Sequence, residues 1–296
     1  MSALHGWIIL DKPLGLSSAG AVGAVKRVLR EGGYGKVKIG HGGTLDPLAT
    51  GVLPIALGEA TKLAGRMLDA IKGYQFTISF GTATATDDAE GEVVAQSDIR
   101  PSPASIEAAL PRFTGPITQM PPAYSALKID GQRAYALARA GETVVLAARE
   151  LVIHGLTLSA TTADSATLEV ICSKGTYVRS LARDLALALG TVGHVSMLRR
   201  TRAGPFDLAQ AISLDKLALL GQERALEQAL LPLIAGLDDI PVLAVEPAEA
   251  DFLRKGGRID GRSESHGLFL ATTGSDRKST RLNSSHVLRS RMPSSA

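Results

Sequence analysis

Gly40-His41-Gly42-Gly43-Thr44-Leu45-Asp46-Pro47-Leu48-Ala49-Thr50-Gly51 is the stretch on which the reading of this chain turns. One carboxylate, Asp46, stands among four glycines with a proline directly behind it. Glycines open backbone angles closed to other residues and let a ligand approach the main chain. Pro47 biases Asp46 towards extended conformations. The pattern suits a stiff loop that presents one acid better than it suits a helix or a central strand. His41 lies on the same loop, and the apolar run 52–57 can anchor it in a core. A lone Asp-Pro reads as an ordinary turn with a capping acid; the surrounding glycines and the histidine favour a site. A phosphate-binding P-loop is excluded because no Lys-Ser or Lys-Thr follows Gly51. The spacing of Gly40, Gly42 and Gly43 excludes a dinucleotide fingerprint.

Working outward, strands and helices follow one another without a repeating βαβ order. Residues 7–10 read as a strand. Ser17 or Ser18 can cap a helix with Val22, Val25 and Leu29 on its apolar side. A second helix is expected over 59–70. Residues 74–80 alternate, placing Phe76, Ile78 and Phe80 on one face of a strand. Helices are expected over 102–110 and 132–140, and strands over 151–158 and 166–172. Val178, Leu181, Leu185 and Leu189 form a helical stripe. The pattern predicts an α+β fold with a mixed, largely antiparallel sheet and flanking helices. From Pro241 the character changes: a short strand at 242–245, a short helix at 247–255 and another strand at 267–271.

The C-terminal run from Asp276 to His286 has no apolar period and no turn logic, and it resembles a translated sequencing-library adapter. Residues 276–296 are therefore set apart as a non-native tail. This matters for charge. The whole chain carries 32 basic and 29 acidic residues, a net +3. The tail contributes five basic residues and one acid, a net +4, which leaves −1 for residues 1–275. Net charge thus gives no support for nucleic-acid binding, and a basic footprint would have to be local. Candidates are Lys26-Arg27-Arg30, Lys36-Lys38 and Arg199-Arg200-Arg202, each of which taken singly reads as a solvated face. Cys172 is the only cysteine, which fits a reducing cytoplasm; its apolar surroundings mark it as core. No His/Cys cluster has metal-ligand spacing. No run of about 18 apolar residues suggests a membrane span, and no signal-peptide pattern is present.

The opening segment closely resembles the catalytic motif of the bacterial TruB family, the tRNA pseudouridine-55 synthases. Further motifs follow in family order. Gly6-Trp7-Ile8-Ile9-Leu10-Asp11-Lys12-Pro13 with Gly15-Leu16-Ser17-Ser18 resembles the N-terminal motif, and Gly58-Glu59-Ala60-Thr61-Lys62 follows the catalytic loop. Lys72-Gly73-Tyr74 resembles the tyrosine motif. Tyr124-Ser125-Ala126-Leu127-Lys128 and the arginine motif Ser173-Lys174-Gly175-Thr176-Tyr177-Val178-Arg179 come next. His194-Val195 with Leu198-Arg199-Arg200 closes a series that covers roughly residues 4–240.

The resemblance implies an isomerase that converts uridine 55 in the T-loop of tRNA to pseudouridine, by base flipping and an aspartate nucleophile. It implies Asp46 as the catalytic acid, Tyr74 stacking on the target base and Arg179 paired with the aspartate. His41 would help hold the opened RNA loop and Leu198 would line the uracil pocket, with Lys62 and Lys12 as RNA-backbone contacts. The implied partner is the T-arm loop of tRNA. Neither cofactor, metal nor protein partner is expected, and the chain would act as a cytoplasmic monomer. The implied layout is a catalytic domain over 1–240 and a truncated, small PUA-like RNA-binding domain over 241–275, a length that rarely supports its own core. One motif departs. Thr84-Ala85-Thr86 precedes Asp87-Asp88, so Ala85 replaces the first acid of the family pattern, while Asp88 matches the second and is expected to orient other polar groups.

Two rivals belong to other classes. A non-catalytic RNA-binding protein would share the basic patches without the chemistry. A glycosidase would also break a bond at an anomeric carbon, but it needs two carboxylates ~5–9.5 Å apart, and the loop supplies one.

Overall fold

A computed structural model describes residues 4–125, 128–129, 132–133, 146–238, 240–259, 268–273 and 287–289. The chain divides into two compact units, Met1–Leu230 and Leu231–Ala296. In chain order the first unit's strands are β1 (Gly6–Lys12), β2 (Ile39–His41), β3 (Ala49–Leu57), β4 (Lys72–Phe80), β5 (Thr82–Thr84), β6 (Val93–Gln96) and β7 (Gly115–Gln119). They continue with β8 (Lys128–Ile129), β9 (Gln132–Arg133), β10 (Arg149–Thr161), β11 (Ser165–Cys172), β12 (Gly193–Ala203) and β13 (Phe206–Asp207). Its helices are α1 (Ser18–Glu31), α2 (Ala64–Asp69), α3 (Pro103–Ala109), α4 (Val178–Ala188) and α5 (Leu214–Gln222).

A nine-stranded sheet organises this unit, in the order β1-β3-β12-β4-β11-β10-β7, with β2 pairing β3 and β13 pairing β12. Only β3 and β12 run parallel within it; the other pairings are antiparallel. The α+β fold with a largely antiparallel sheet is the one the sequence predicts. Phe76, Ile78 and Phe80 are all buried, as the alternation requires. They pack with α3 and α4 into one core, where Leu181, Ala182 and Leu185 supply the helical stripe. A second core lies under α1 and α5, against Ile8, Leu10, Leu53 and Ile55. Tyr74 and Leu198 touch both cores. They stand on β4 and β12, in the middle of the sheet, so the seam between the two helix-covered halves falls on them.

Several elements differ from the sequence reading. The strand behind the opening loop starts at Ala49 and so takes in Thr50 and Gly51. Gly51 permits this because its φ is +99°, and an added Cβ would lie 2.2 Å from Arg200 O on the neighbouring strand. The helix expected over 59–70 is a 3-10 turn, Gly58–Lys62, followed by α2. Thr61 Oγ1 donates to Gly58 O three residues back (2.8 Å), which tightens that turn. Gln132–Arg133, assigned to a helix from sequence, pair instead with Lys128–Ile129; the rest of 132–140 lies outside the described residues.

In the second unit β14 (Val242–Ala244) pairs in parallel with β15 (Leu268–Thr272), and α6 (Pro247–Arg254) lies between them in sequence. Leu253 and Leu270 are buried. Val287–Arg289, inside the segment set apart as a tail, pairs antiparallel with β15 as β16; the remainder of 276–296 lies outside the described residues.

Candidate active site

The loop that carries Asp46 runs between β2 and β3 and is anchored at each residue from Gly42 to Pro47. Gly42 N donates to Pro54 O (2.8 Å). Arg200 donates through Nη2 to Gly43 O (3.2 Å) and through Nη1 to Thr44 O (3.3 Å). Ser18 Oγ donates to Leu45 O (2.9 Å) and accepts from Leu45 N (2.8 Å). Ala49 N donates to Asp46 O (3.0 Å), and Gly15 N donates to Pro47 O (2.9 Å). The Ser17-Ser18 pair divides its work. Ser17 caps α1 by accepting from Gly20 N (3.0 Å), which frees Ser18 to clamp the loop.

Gly43 and Gly51 use the backbone freedom read in the sequence, with φ of +124° and +99°, but the room at the loop glycines serves the protein itself. An added Cβ at Gly42 would lie 2.6 Å from Met67 Cβ, so packing against α2 requires glycine there. Gly43 has φ +124°, with Arg200 Nη1 3.6 Å from the Cβ position. At Gly42, Gly43 and Gly51 the close neighbours are the protein's own side chains and backbone.

The Asp46 carboxylate stays accessible, its side chain 43% exposed, and its Oδ2 lies 3.0 Å from Arg179 Nη2. Arg179 occupies the first turn of α4 and is buried. Its Nη1 donates to Asp88 Oδ2 (3.2 Å) and Thr86 O (2.9 Å), and its Nη2 to Tyr124 O (3.0 Å). One guanidinium therefore bridges an exposed and a buried carboxylate. Asp88 also accepts from Thr86 Oγ1 and Glu90 N. Ala85, where the family pattern has an acid, is exposed, so the substitution leaves this buried network intact. One turn further along α4, Arg183 Nη1 bonds Asp87 Oδ2 (2.9 Å) and its Nη2 donates to Met120 O (3.1 Å). Burial pushes the Asp87 carboxyl up while Arg183 pulls it down.

Tyr74 pairs in register with Arg200 on β12 and with Val170 on β11. Burial raises its phenol pKa, opposed by the Arg200 charge. Leu198 lies between Ala49 of β3 and Phe76 of β4. His41 ends β2 opposite Ile55. Burial, then the Arg200 charge, lowers its pKa, so the imidazole is neutral at pH 7, and among the described residues its buried Nδ1 has no hydrogen-bond partner.

Lys12 corrects the sequence reading. It is fully buried, and its Nζ donates to Leu16 O (2.6 Å), Pro13 O (2.9 Å) and Pro47 O (3.3 Å). Enclosed under the loop, it braces Pro47 and has no surface to offer an RNA phosphate. Burial brings its pKa down to about 8, against the attraction of Asp46. Of the Arg199-Arg200-Arg202 patch only Arg202 is exposed. Arg200 is buried. Arg199 grips Asp11 with both terminal nitrogens (2.8 and 3.1 Å), and Arg202 Nε bonds Gly204 O (2.8 Å). Lys26, Arg27 and Arg30 lie on the exposed side of α1.

Lys36, Lys38 and Lys62 line one pocket of about 260 Å³ with His5, Glu59 and Thr61. All three lysines are exposed, and Lys62 pairs with Glu59 (2.5 Å). This pocket lies beside Gly58, past the end of β3 remote from Asp46. Eight residue steps of strand separate Ala49 from Leu57, or about 26 Å. Among the described residues no group of three or more His, Cys, Asp or Glu could hold a metal ion, and no helix is long and apolar enough to cross a membrane.

Of the seven side chains expected from the sequence, Asp46 and Arg179 pair with one another, Tyr74 and Leu198 form the seam, Lys12 braces the Asp46 loop from beneath, His41 stands at the end of β2 opposite Ile55, and Lys62 lies in the remote pocket. The sequence reading missed Ser18 as a clamp and Arg200 as a buried anchor. The doubled serine was a usable signal for the first. For the second, Arg200 sits at the same register as Gly51, a pairing that no linear spacing reveals.

Residues 27–178 match the TruB family pseudouridylate synthase N-terminal domain, and residues 179–239 match the tRNA pseudouridylate synthase B C-terminal domain. Asp46 falls in the first match, and Arg179 opens the second. The chain is 60% identical to tRNA pseudouridine synthase B of Novosphingobium aromaticivorans over 92% of its own length and 91% of that protein. It is 57% identical to tRNA pseudouridine synthase B of Zymomonas mobilis, over 91% and 89%. Among solved structures, a chain of a Cbf5-Nop10-Gar1 complex superposes with TM-score 0.70 at 26% identity, covering 92% of this chain and 76% of that one. A chain of an H/ACA RNP bound to a substrate RNA containing 2'-deoxyuridine gives TM-score 0.71 at 23% identity, covering 98% and 86%, a likeness of fold.

Proposed function

The chain belongs to the TruB family of pseudouridylate synthases, and from that premise we propose that it isomerises uridine 55 in the T-loop of tRNA, with Asp46 as the nucleophile. The observation that carries the reading is the 3.0 Å ion pair between Asp46, accessible on its anchored loop, and the buried Arg179. A guanidinium fixed by Asp88, Thr86 and Tyr124 sets the direction of the reacting carboxylate before substrate arrives.

A uridine stacked in a folded loop hides its glycosidic bond, so the base is flipped out at a cost of a few kcal/mol. Tyr74 stacks on the flipped uracil. Its phenol is protonated at neutral pH, the form suited to stacking, and burial raises its pKa further. His41, neutral and half-buried, helps hold the opened loop. Asp46 then attacks C6 of the uracil, or attacks or deprotonates the ribose. In each route the C1′–N1 bond breaks, the base turns while held and C1′–C5 forms; any bond to Asp46 then breaks to return the carboxylate, C5 loses its proton and N1 gains one. Water must be kept out or hydrolysis competes. Leu198, Val178 and Val195 supply apolar walls, the last two buried. Lys36, Lys38 and Lys62 offer a local cationic surface for RNA phosphates.

The glycosidase alternative needs a second free carboxylate. Asp88 is buried, with both oxygens engaged by Thr86, Glu90 and Arg179, and Asp87 is bound by Arg183. The test is incubation of the full chain with unmodified tRNA, followed by mapping of pseudouridine position by position. Modification at position 55 supports the reading. Free uracil or abasic RNA as product favours the glycosidase, and tRNA binding without modification favours the non-catalytic binder.

A further inference from the structure

We propose that Arg200 is a positioning residue for this reaction, tying the loop that carries Asp46 to the strand neighbouring Tyr74 so that the acid and the ring keep one relative geometry. The inference rests on the roles of Asp46 and Tyr74 proposed above. Arg200 stands on β12 with Gly51 of β3 on one side and Tyr74 of β4 on the other. It is 1% exposed. Its guanidinium donates to three backbone carbonyls: Nε to Val52 O (2.7 Å), Nη1 to Thr44 O (3.3 Å) and Nη2 to Gly43 O (3.2 Å). Among the described residues, the ion pairs of this region use Arg179, Arg183 and Arg199, and none uses Arg200.

A buried cation without a counter-ion is costly unless hydrogen bonds satisfy it. Here each bond lands on β3 or on the loop leading into it. The chain is shaped to admit them, since Gly51 clears the Arg200 backbone and Gly43 takes a left-handed φ beside the guanidinium. The same group acts on Tyr74, where its charge and a side-chain hydrogen bond oppose the upward push of burial on the phenol. Arg200 thus links two parts of the site that lie 28 positions apart in sequence. A lysine could not replace it, because an ammonium is a point charge on a flexible stem and a guanidinium is a planar fork.

Arg200→Met and Arg200→Lys are made in the full chain and compared with wild type on unmodified tRNA, reading tRNA Kd, single-turnover rate at saturating tRNA and melting temperature. Arg200→Met is expected to lose about 100-fold in rate, the effect of a misplacement of ~1 Å, while Kd stays within about threefold. Arg200→Lys keeps the charge and is expected to recover part of the rate, still about tenfold below wild type. A wild-type rate in Arg200→Lys, or a loss confined to Kd or to melting temperature, would overturn the proposal. Should Arg200→Met fail to fold, the rate of Arg200→Lys decides alone. A wild-type chain that forms no pseudouridine would instead sink the reaction assignment, and this inference with it.

Discussion

At the Ala49 end of β3, charge is buried and each charged group has fixed partners. Arg179, Asp88, Lys12 and Arg200 are each no more than 7% exposed; Arg179 meets Asp46 itself, and Lys12 and Arg200 bond the loop that carries it. At the Leu57 end, Lys36, Lys38 and Lys62 stand in solvent around an open pocket, and Lys62 has only an exposed partner, Glu59. The difference follows from what each end would meet. A reacting carboxylate needs one direction, and burial with satisfied hydrogen bonds provides it. A phosphate backbone needs positive potential over an area, and mobile exposed lysines supply that without desolvation. Exposed pairs such as Glu59–Lys62 contribute little to stability, about 0–1 kcal/mol.

The contrast can be broken most forcefully at Arg179. Arg179→Met leaves Asp88 buried without its cation, and a destabilisation of about 3–5 kcal/mol is expected in urea unfolding. Turnover should fall by at least ~10²–10³-fold. A folded variant with near wild-type turnover would contradict the fixed-charge account.

Lys12 sharpens the comparison through pH. Below pH 8 folded and unfolded chains both carry the Lys12 proton, and the fold bears the full penalty of burying the charge. Between about 8 and 10.5 the unfolded chain binds more protons than the folded one. The contribution of Lys12 to stability therefore rises with pH, by on the order of 3 kcal/mol across that window. Measured as the difference between wild type and Lys12→Met, stability should shift towards wild type from pH 8 upward. A pH-independent difference would show that the ammonium is not buried.

A smaller effect is expected at Ser18. Ser18→Ala leaves Leu45 N and O without their partner in a buried setting, at a cost of about 1–3 kcal/mol, readable as a lower urea midpoint. The smallest effect on folding or chemistry belongs to the open end. Lys36→Glu, Lys38→Glu and Lys62→Glu combined should leave melting temperature and saturating single-turnover rate close to wild type. The tRNA affinity should weaken, and the salt dependence of log K should flatten by about 0.9 for each phosphate that the protein no longer neutralises. An unchanged salt slope would remove this pocket from the RNA footprint.

Much of the first unit was legible because burial follows period. The alternation of Phe76, Ile78 and Phe80 and the stripe of Val178, Leu181 and Leu185 are one-dimensional signals of a buried face. The site residues were legible through a family resemblance, since nothing local to Arg179 announces a partner 133 positions away. What escaped was set by contacts across strands. The loop glycines read as room for a ligand, whereas Gly42 makes room for Met67 and Gly51 for Arg200. Lys12 stood as an RNA contact through the family resemblance, whereas it is buried and its ammonium is held by the carbonyls of Pro13, Leu16 and Pro47.

The most direct test of the account is Asp46→Asn on unmodified tRNA, with pseudouridine mapped by position and tRNA Kd measured on the same preparation. The account predicts loss of modification at position 55 by at least ~10⁴-fold with Kd within a few-fold of wild type. Pseudouridine formed at position 55 by Asp46→Asn at a rate near wild type would contradict it.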